Sequence, residues 1–141
     1  IKLTVETYKL KLLFPIIEDE EHNTTRFVIL AKKLQDAKAD QGKAITSFVF
    51  RVRNVPAALY KAMGGFATNG VNMTKLESYQ IEGQFSATQF YADIEGHPDD
   101  ANVKLAFEEL EFFTSYVQIL GAYPASPYRA ELAKRRLAAK S

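Results

Sequence analysis

Two short stretches of the chain gather groups able to do chemistry. The first is Thr24-Thr25-Arg26-Phe27, where hydroxyls, a guanidinium and an aromatic ring are consecutive. It runs on into Val28-Ile29-Leu30, and the β-branched content predicts a strand. In a strand Thr25 and Phe27 share one face and Arg26 points to the other. Arg26 could then reach the ligand of Thr25 only if the strand end twists, and its planar fork would suit a carboxylate. A β-branched strand without chemistry explains the same residues. The second stretch is Asn54-Val55-Pro56-Ala57-Ala58-Leu59. Asn54 sits where a helix cap belongs, and Pro56 suits a first helical turn. Small side chains at 57 and 58 would let a ligand approach the helix start, where unpaired N–H groups can hold a carboxylate. A capped helix packed on a sheet explains these residues too.

Other chemistries find little support. The 141 residues include no cysteine and only two histidines, His22 and His97. Thiolate catalysis, disulfides and Cys-ligated metal are excluded. The histidines are too far apart in sequence for metal-ligand spacing, so no metal or other cofactor is expected. His22 lies in an acidic loop, and His97 before Pro98 reads as a turn residue. Eighteen basic and 17 acidic residues give a net charge of +1, which offers no electrostatic reason for a nucleic-acid partner. No apolar run is long enough to span a bilayer, and the first residues lack a signal-peptide core. A cytoplasmic location is the resulting expectation. With Ile1 in place of methionine, the sequence reads as starting inside a longer protein.

The elements that must position these groups are legible in the hydrophobic pattern. Residues 1–8 could close a helix. Leu10–Ile17, ended by the Pro15 region, and Thr24–Leu30 read as strands around a polar loop. Residues 31–43 are charged, poor in large apolar side chains, and read as a linker. Thr46, Phe48, Phe50 and Val52 then alternate with Ser47, Val49, Arg51 and Arg53 as a half-buried strand. Val55, Leu59, Ala62, Met63, Phe66 and Ala67 recur at helical spacing, with Gly70 as a left-handed cap. Val71–Ile81 is a strand in which Met73 and Leu76 fall out of phase, as a bulge would cause. Glu82-Gly83 makes a turn, and Thr88, Phe90, Ala92 and Ile94 mark a third strand. Pro98-Asp99-Asp100 caps a helix with apolar face Val103, Phe107, Leu110 and Phe113. Tyr116–Tyr123 is the last strand. The order βαββαβ is the ferredoxin-like, α+β arrangement, with both helices on one face of an antiparallel sheet. Residues 125–141 form a basic tail.

Several strings resemble those of prephenate dehydratases. Asn23-Thr24-Thr25-Arg26-Phe27 is similar to that family's Asn-x-Thr-Arg-Phe motif, led by Glu6-x-Tyr8-x-Leu10 and Ile17-Glu18-Asp19. Asn54-Val55-Pro56-Ala57-Ala58-Leu59-Tyr60-Lys61 and Gly70 through Ser78 resemble two blocks of its ACT domain. Tyr91-x-Asp93-x-Glu95-Gly96-His97 and Ile119-Leu120-Gly121-x-Tyr123-Pro124 resemble two more. Ala57 stands where the family commonly has glycine, and Tyr79-Gln80 where it commonly has Arg-Pro.

The resemblance implies residues 1–30 as the end of a two-lobed α/β catalytic domain, 31–43 as linker and 44–124 as a regulatory ACT domain. It implies a lyase that takes water and carbon dioxide from prephenate to give phenylpyruvate, towards phenylalanine. Thr25, Arg26 and Phe27 become the catalytic candidates, with the Thr25 hydroxyl suited to donate a hydrogen bond to the leaving oxygen. L-Phenylalanine is the implied effector, at Asn54, Ala57, Ala58, Leu59, Asn72, Met73, Thr74, Glu77 and Ser78. A homodimer or tetramer is implied, with sheets joined side by side. A non-catalytic amino-acid-binding module and a dimerisation domain are the alternatives.

Overall fold

The computed structural model describes residues 2–14, 25–33, 37, 43–53, 55–81 and 88–131. They form α1 (Lys2–Thr7), β1 (Ala44–Val52), α2 (Ala58–Thr68), β2 (Met73–Gln80), β3 (Thr88–Glu95), α3 (Ala101–Phe113) and β4 (Thr114–Pro124). The chain divides into two compact units, residues 1–30 and 31–141.

In the first unit the short helix is present, but the two strands are not. Residues 10–14 and 25–30 are irregular, while 15–24 lie outside the described residues. A strand needs a neighbour for its N–H and C=O groups, and no strand is found among the described residues of this unit. Its apolar side chains are left in solvent: Phe27 is 88% and Ile29 98% exposed.

In the second unit the sheet order is β2-β3-β1-β4, with every neighbouring pair antiparallel. This is the ferredoxin-like α+β arrangement the element order predicts. Period-two alternation sends Phe48 and Phe50 of β1 and Phe90, Ala92 and Ile94 of β3 to one face. There they meet Ala62 and Phe66 of α2 and Val103, Ala106, Phe107 and Leu110 of α3. Phe48 sits at the centre, with ring centroids 5.7 Å from Phe50 and Phe66 and 4.9 Å from Phe107. Such offset and edge-on pairs add about 0.5–1.5 kcal/mol each beyond area burial.

The boundaries depart from the sequence pattern in instructive ways. α2 begins at Ala58, after a turn through Val55–Ala57, so Pro56 precedes the helix. Val55 and Ala67, expected on its apolar face, are exposed. Asn54, Glu82 and Gly83 lie outside the described residues. Gly70 takes φ 65°, as the left-handed cap requires. The bulge in β2 is present as a register shift between Met73 and Lys75. Asp100 stands at the start of α3, but its carboxylate accepts from the N–H of His97 at 2.7 Å instead of capping the helix. The tail is helical over 127–131; its remainder lies outside the described residues.

The adjacent glycines of α2 have different reasons to exist. A Cβ on Gly65 would stand 2.6 Å from Glu109 Cβ and 3.1 Å from the Ala106 carbonyl oxygen of α3. A Cβ on Gly64 would meet nothing within 4 Å. Gly65→Ala should therefore push the helices apart at a cost of about 1–3 kcal/mol. Gly64→Ala should gain up to about 1 kcal/mol of helix propensity. Urea denaturation of the two variants checks both signs. Equal effects would mean that the helices do not meet at Gly65.

Candidate functional site

The β1–α2 junction holds the most unusual backbone of the second unit. Ala57, at the N-cap position of α2, has φ 56° and ψ 28°, the left-handed conformation. A residue with a Cβ pays roughly 1–2 kcal/mol to stay there. Glycine would hold the same turn without that cost. The turn is closed by two bonds: Val55 N–H donates to the Arg53 carbonyl at 2.8 Å and Ala58 N–H to that of Val55 at 3.1 Å. The Ala58 amide is thus committed to the turn. Ala58 itself is buried, and Leu59 packs against the core, leaving only its backbone towards the helix start.

The other predicted effector residues lie along β2, an edge strand. Register places Lys75, Glu77 and Tyr79 beside Asp93, Tyr91 and Gln89 on the face away from the helices, and Ser78 beside Phe90 on the helix face. Glu77 and Ser78 therefore point to opposite sides. Glu77 is held by Lys75 Nζ at 3.1 Å and by the Tyr79 hydroxyl, which donates at 2.7 Å. The Tyr79 hydrogen bond, then that of Lys75, draws its carboxyl below the usual range. Asn72 and Thr74 are exposed, whereas Met73 packs on the core. Asn72 and Ala57 flank opposite ends of α2, whose 11 residues span about 16 Å. One protomer does not bring them together.

Of the catalytic candidates, Thr25, Arg26 and Phe27 lie together in the irregular, exposed part of the first unit. Asn23 and His22 lie outside the described residues. Among the described residues no group of three His, Asp or Glu side chains could hold a metal.

A polar cluster on the helix-free face joins Tyr91, Asp93 and Tyr123, which belong to two of the resembling strings, with Ser47, for which alternation is the one signal. Asp93 is fully buried; its Oδ1 accepts from the Ser47 hydroxyl at 2.5 Å and from the Tyr91 hydroxyl at 2.8 Å. Ser47 Oγ lies 3.1 Å from the Tyr123 hydroxyl. The cluster ties β1, β3 and β4 together, and burial, opposed by the hydrogen bond with Ser47 and aided by that to Asp93, leaves the Tyr91 phenol above its usual pKa. Lys75 Nζ lies 5.2 Å from the centre of the Tyr91 ring and links the cluster to β2. Its hydroxyls and carboxylate satisfy one another, so the arrangement reads as a structural clasp.

Fold and strings together define a ferredoxin-like domain of the ACT kind. No family model matches the chain. It is 50% identical over 127 residues, 90% of its length, to a bifunctional N-acyl-homoserine lactone acylase/prephenate dehydratase of Komagataeibacter europaeus. It is 39% identical over 118 residues to a bifunctional chorismate mutase/prephenate dehydratase of Aquifex aeolicus, covering 84% of the chain. The chain spans only 45% and 32% of these two relatives. Among solved structures, GqqA, described as a quorum-quenching acylase, is 53% identical with a TM-score of 0.64, covering 70% of this chain and 50% of that one. A prephenate dehydratase of Arthrobacter aurescens, solved with L-Phe, shares the fold at a TM-score of 0.53 and 22% identity, covering 79% of this chain and 40% of that one. The chain is a relative of the prephenate dehydratases, matching their C-terminal part.

The strain at Ala57 gives a direct test of the junction. Ala57→Gly should raise stability by up to about 1 kcal/mol, because relief of the left-handed strain exceeds the entropy glycine adds to the unfolded chain. Ala57→Val should lower it by more than that, since a β-branched residue tolerates this region worst. Thermal or urea unfolding checks the order Gly, Ala, Val; the reverse order would rule out the left-handed turn.

Proposed function

We propose that this chain is the regulatory end of a prephenate dehydratase and that its ACT domain binds L-phenylalanine between two copies. The observation that carries the reading is the left-handed turn at Ala57, which leads straight into the start of α2, where helix-start amides suit a free amino-acid carboxylate. Helix-start amides favour an anion through both hydrogen bonding and the helix dipole. The Leu59 and Tyr60 amides are the donors best placed for it. A neighbour with the same fold was solved with L-Phe, which supports the choice of ligand.

The second copy follows from the geometry of β2. Ala57 lies at the Tyr79–Gln80 end of β2, and Asn72–Thr74 start its other end. Pairing two β2 edges antiparallel about a two-fold axis would bring Asn72–Thr74 of one copy towards Ala57 of the other. It would also cover an edge strand that otherwise presents unpaired backbone. Glu77 and Ser78 then fall on opposite sides of the joined sheet, so only one of them faces a given ligand.

In the whole enzyme, Thr25 would hydrogen-bond the departing hydroxyl of prephenate and Arg26 would hold a carboxylate, while Phe27 would pack beside the substrate ring. The exposed apolar side chains of residues 10–14 and 25–30 suit burial against the rest of a two-lobed domain in the cytoplasm. A second reading, removal of the acyl chain of an N-acyl-homoserine lactone by the whole protein, is favoured by the 50% identity to the bifunctional acylase/prephenate dehydratase of Komagataeibacter europaeus.

Calorimetry and sedimentation of the 141-residue chain test the regulatory reading together. The expected result is a dimer at micromolar concentration that binds phenylalanine more tightly than tyrosine or tryptophan. The chain alone should not convert prephenate, because one wall of a cleft does not position a substrate. Failure of all three amino acids to bind at millimolar concentration would reduce the domain to a structural one.

A further inference from the structure

The strongest unused feature is a buried histidine that holds the segment entering the regulatory domain. His97 is 7% exposed and lies in the β3–α3 connection. Its Nδ1 faces the Asp99 N–H at 3.1 Å and, less closely, Asp99 Oδ2 at 3.5 Å; with Nδ1 accepting the N–H, the ring proton sits on Nε2. Nε2 then donates to the Ala37 carbonyl at 2.7 Å. The Ala37 N–H in turn donates to the Ala122 carbonyl on β4 at 2.8 Å. Both backbone groups of one residue, roughly 60 and 85 positions away in sequence from their partners, are therefore taken by the domain.

The connection carrying His97 is itself locked. Gly96 has φ 126°, and a Cβ there would stand 2.6 Å from Val103 Cγ2. Its carbonyl accepts from Thr46 Oγ1 at 2.7 Å, and its N–H donates to the Ala44 carbonyl at 2.9 Å. One residue earlier, Glu95 N–H donates to the carbonyl of Asn72 at 2.9 Å. A short backbone route thus runs from Asn72 through Glu95 and Gly96 to His97 and on to Ala37. Its first residue belongs to the proposed phenylalanine site and its last precedes the domain.

We propose that His97 is a positioning residue that anchors Ala37 to the regulatory domain and passes ligand binding at Asn72 to the preceding segment. The coupling half of this inference rests on the phenylalanine reading given above. Movement of the β2 start on binding would pull on Glu95, and the rigid Gly96 turn would carry that displacement to the His97 ring. Removing one link should silence the far end, and by reciprocity the ligand affinity then shifts only by the coupling factor itself, which is small for a single hydrogen bond.

Amide hydrogen exchange at Ala37, read by NMR in the full chain, tests both halves. Without ligand, His97→Ala should speed Ala37 exchange by about tenfold or more and leave Phe48 unchanged. His97→Gln, whose amide can still donate to the Ala37 carbonyl, should restore much of the protection. With phenylalanine, the Ala37 rate should change in the unaltered chain and stay constant in His97→Ala, while affinity by calorimetry stays within about twofold. Equal Ala37 rates in the ligand-free proteins would overturn the anchor. An undiminished ligand response in His97→Ala would overturn the coupling. If phenylalanine does not bind the unaltered chain at all, the functional reading and the coupling fall together, and the anchor is decided by the ligand-free rates alone.

Discussion

The contact on which the rest of the second unit depends is the close approach of α2 and α3 at Gly65. With Glu109 Cβ and the Ala106 carbonyl so near, only a hydrogen fits. Just beyond it, Asn69 Nδ2 donates to Glu109 Oε1 at 2.9 Å and to the Gly65 carbonyl at 2.8 Å, closing the end of α2 against α3. On the inner side Phe66 and Phe107 meet edge-on with centroids 5.8 Å apart, both against Phe48 of the central strand. These contacts fix the axial position of α2. Its two ends carry the Ala57 turn and the entry to β2 at Val71–Asn72, so the placement of the proposed ligand groups follows from helix packing.

The opposite face of the sheet solves a different problem. A fully buried carboxylate is costly unless it is hydrogen-bonded. Asp93 answers this with hydroxyls from β1 and β3. Because Ser47 also reaches Tyr123, the clasp spans three strands where the helices cannot hold them. Tyr91 stays protonated to a higher pH than an exposed tyrosine, chiefly because it is desolvated. The two faces are held by different physics: aromatic packing on one, a closed set of hydrogen bonds on the other.

Most of this fold was legible in the residues. Alternation in β1 and β3, the helical spacing of Phe66 and Phe107, the Gly70 cap and the phase break at Met73 each report a local preference that the tertiary structure keeps. The pattern places the start of α2 too early because Asn54 and Pro56 offer good local cap chemistry. The chain instead spends three more residues in a turn and begins the helix from a strained alanine. The strands expected over residues 10–17 and 24–30 were read from β-propensity, which expresses fit to a paired, half-buried surface. The described part of the first unit offers no such surface. Within the candidate site, the types of residue at Ala57 and Asn72–Ser78 were evident. Their separation along α2 and the opposite facing of Glu77 and Ser78 needed the register. Nothing in the sequence showed that His97 reaches Ala37, because that bond joins a turn to a segment with no pattern of its own.

The central claim is that one ligand site takes its parts from two copies: the Ala57 turn of one and the Asn72–Thr74 start of β2 of the other. Mixing two inactive variants tests this most directly. Ala57→Glu places a negative charge where the ligand carboxylate would sit, and Asn72→Trp blocks the other half. Each variant alone should fail to bind phenylalanine while remaining a folded dimer. After the two are mixed and allowed to exchange subunits, mixed dimers hold one intact site, and calorimetry should show binding return at reduced stoichiometry with the affinity of the unaltered chain. If mixing restores no binding although the subunits exchange, the site lies within a single copy and the account is wrong.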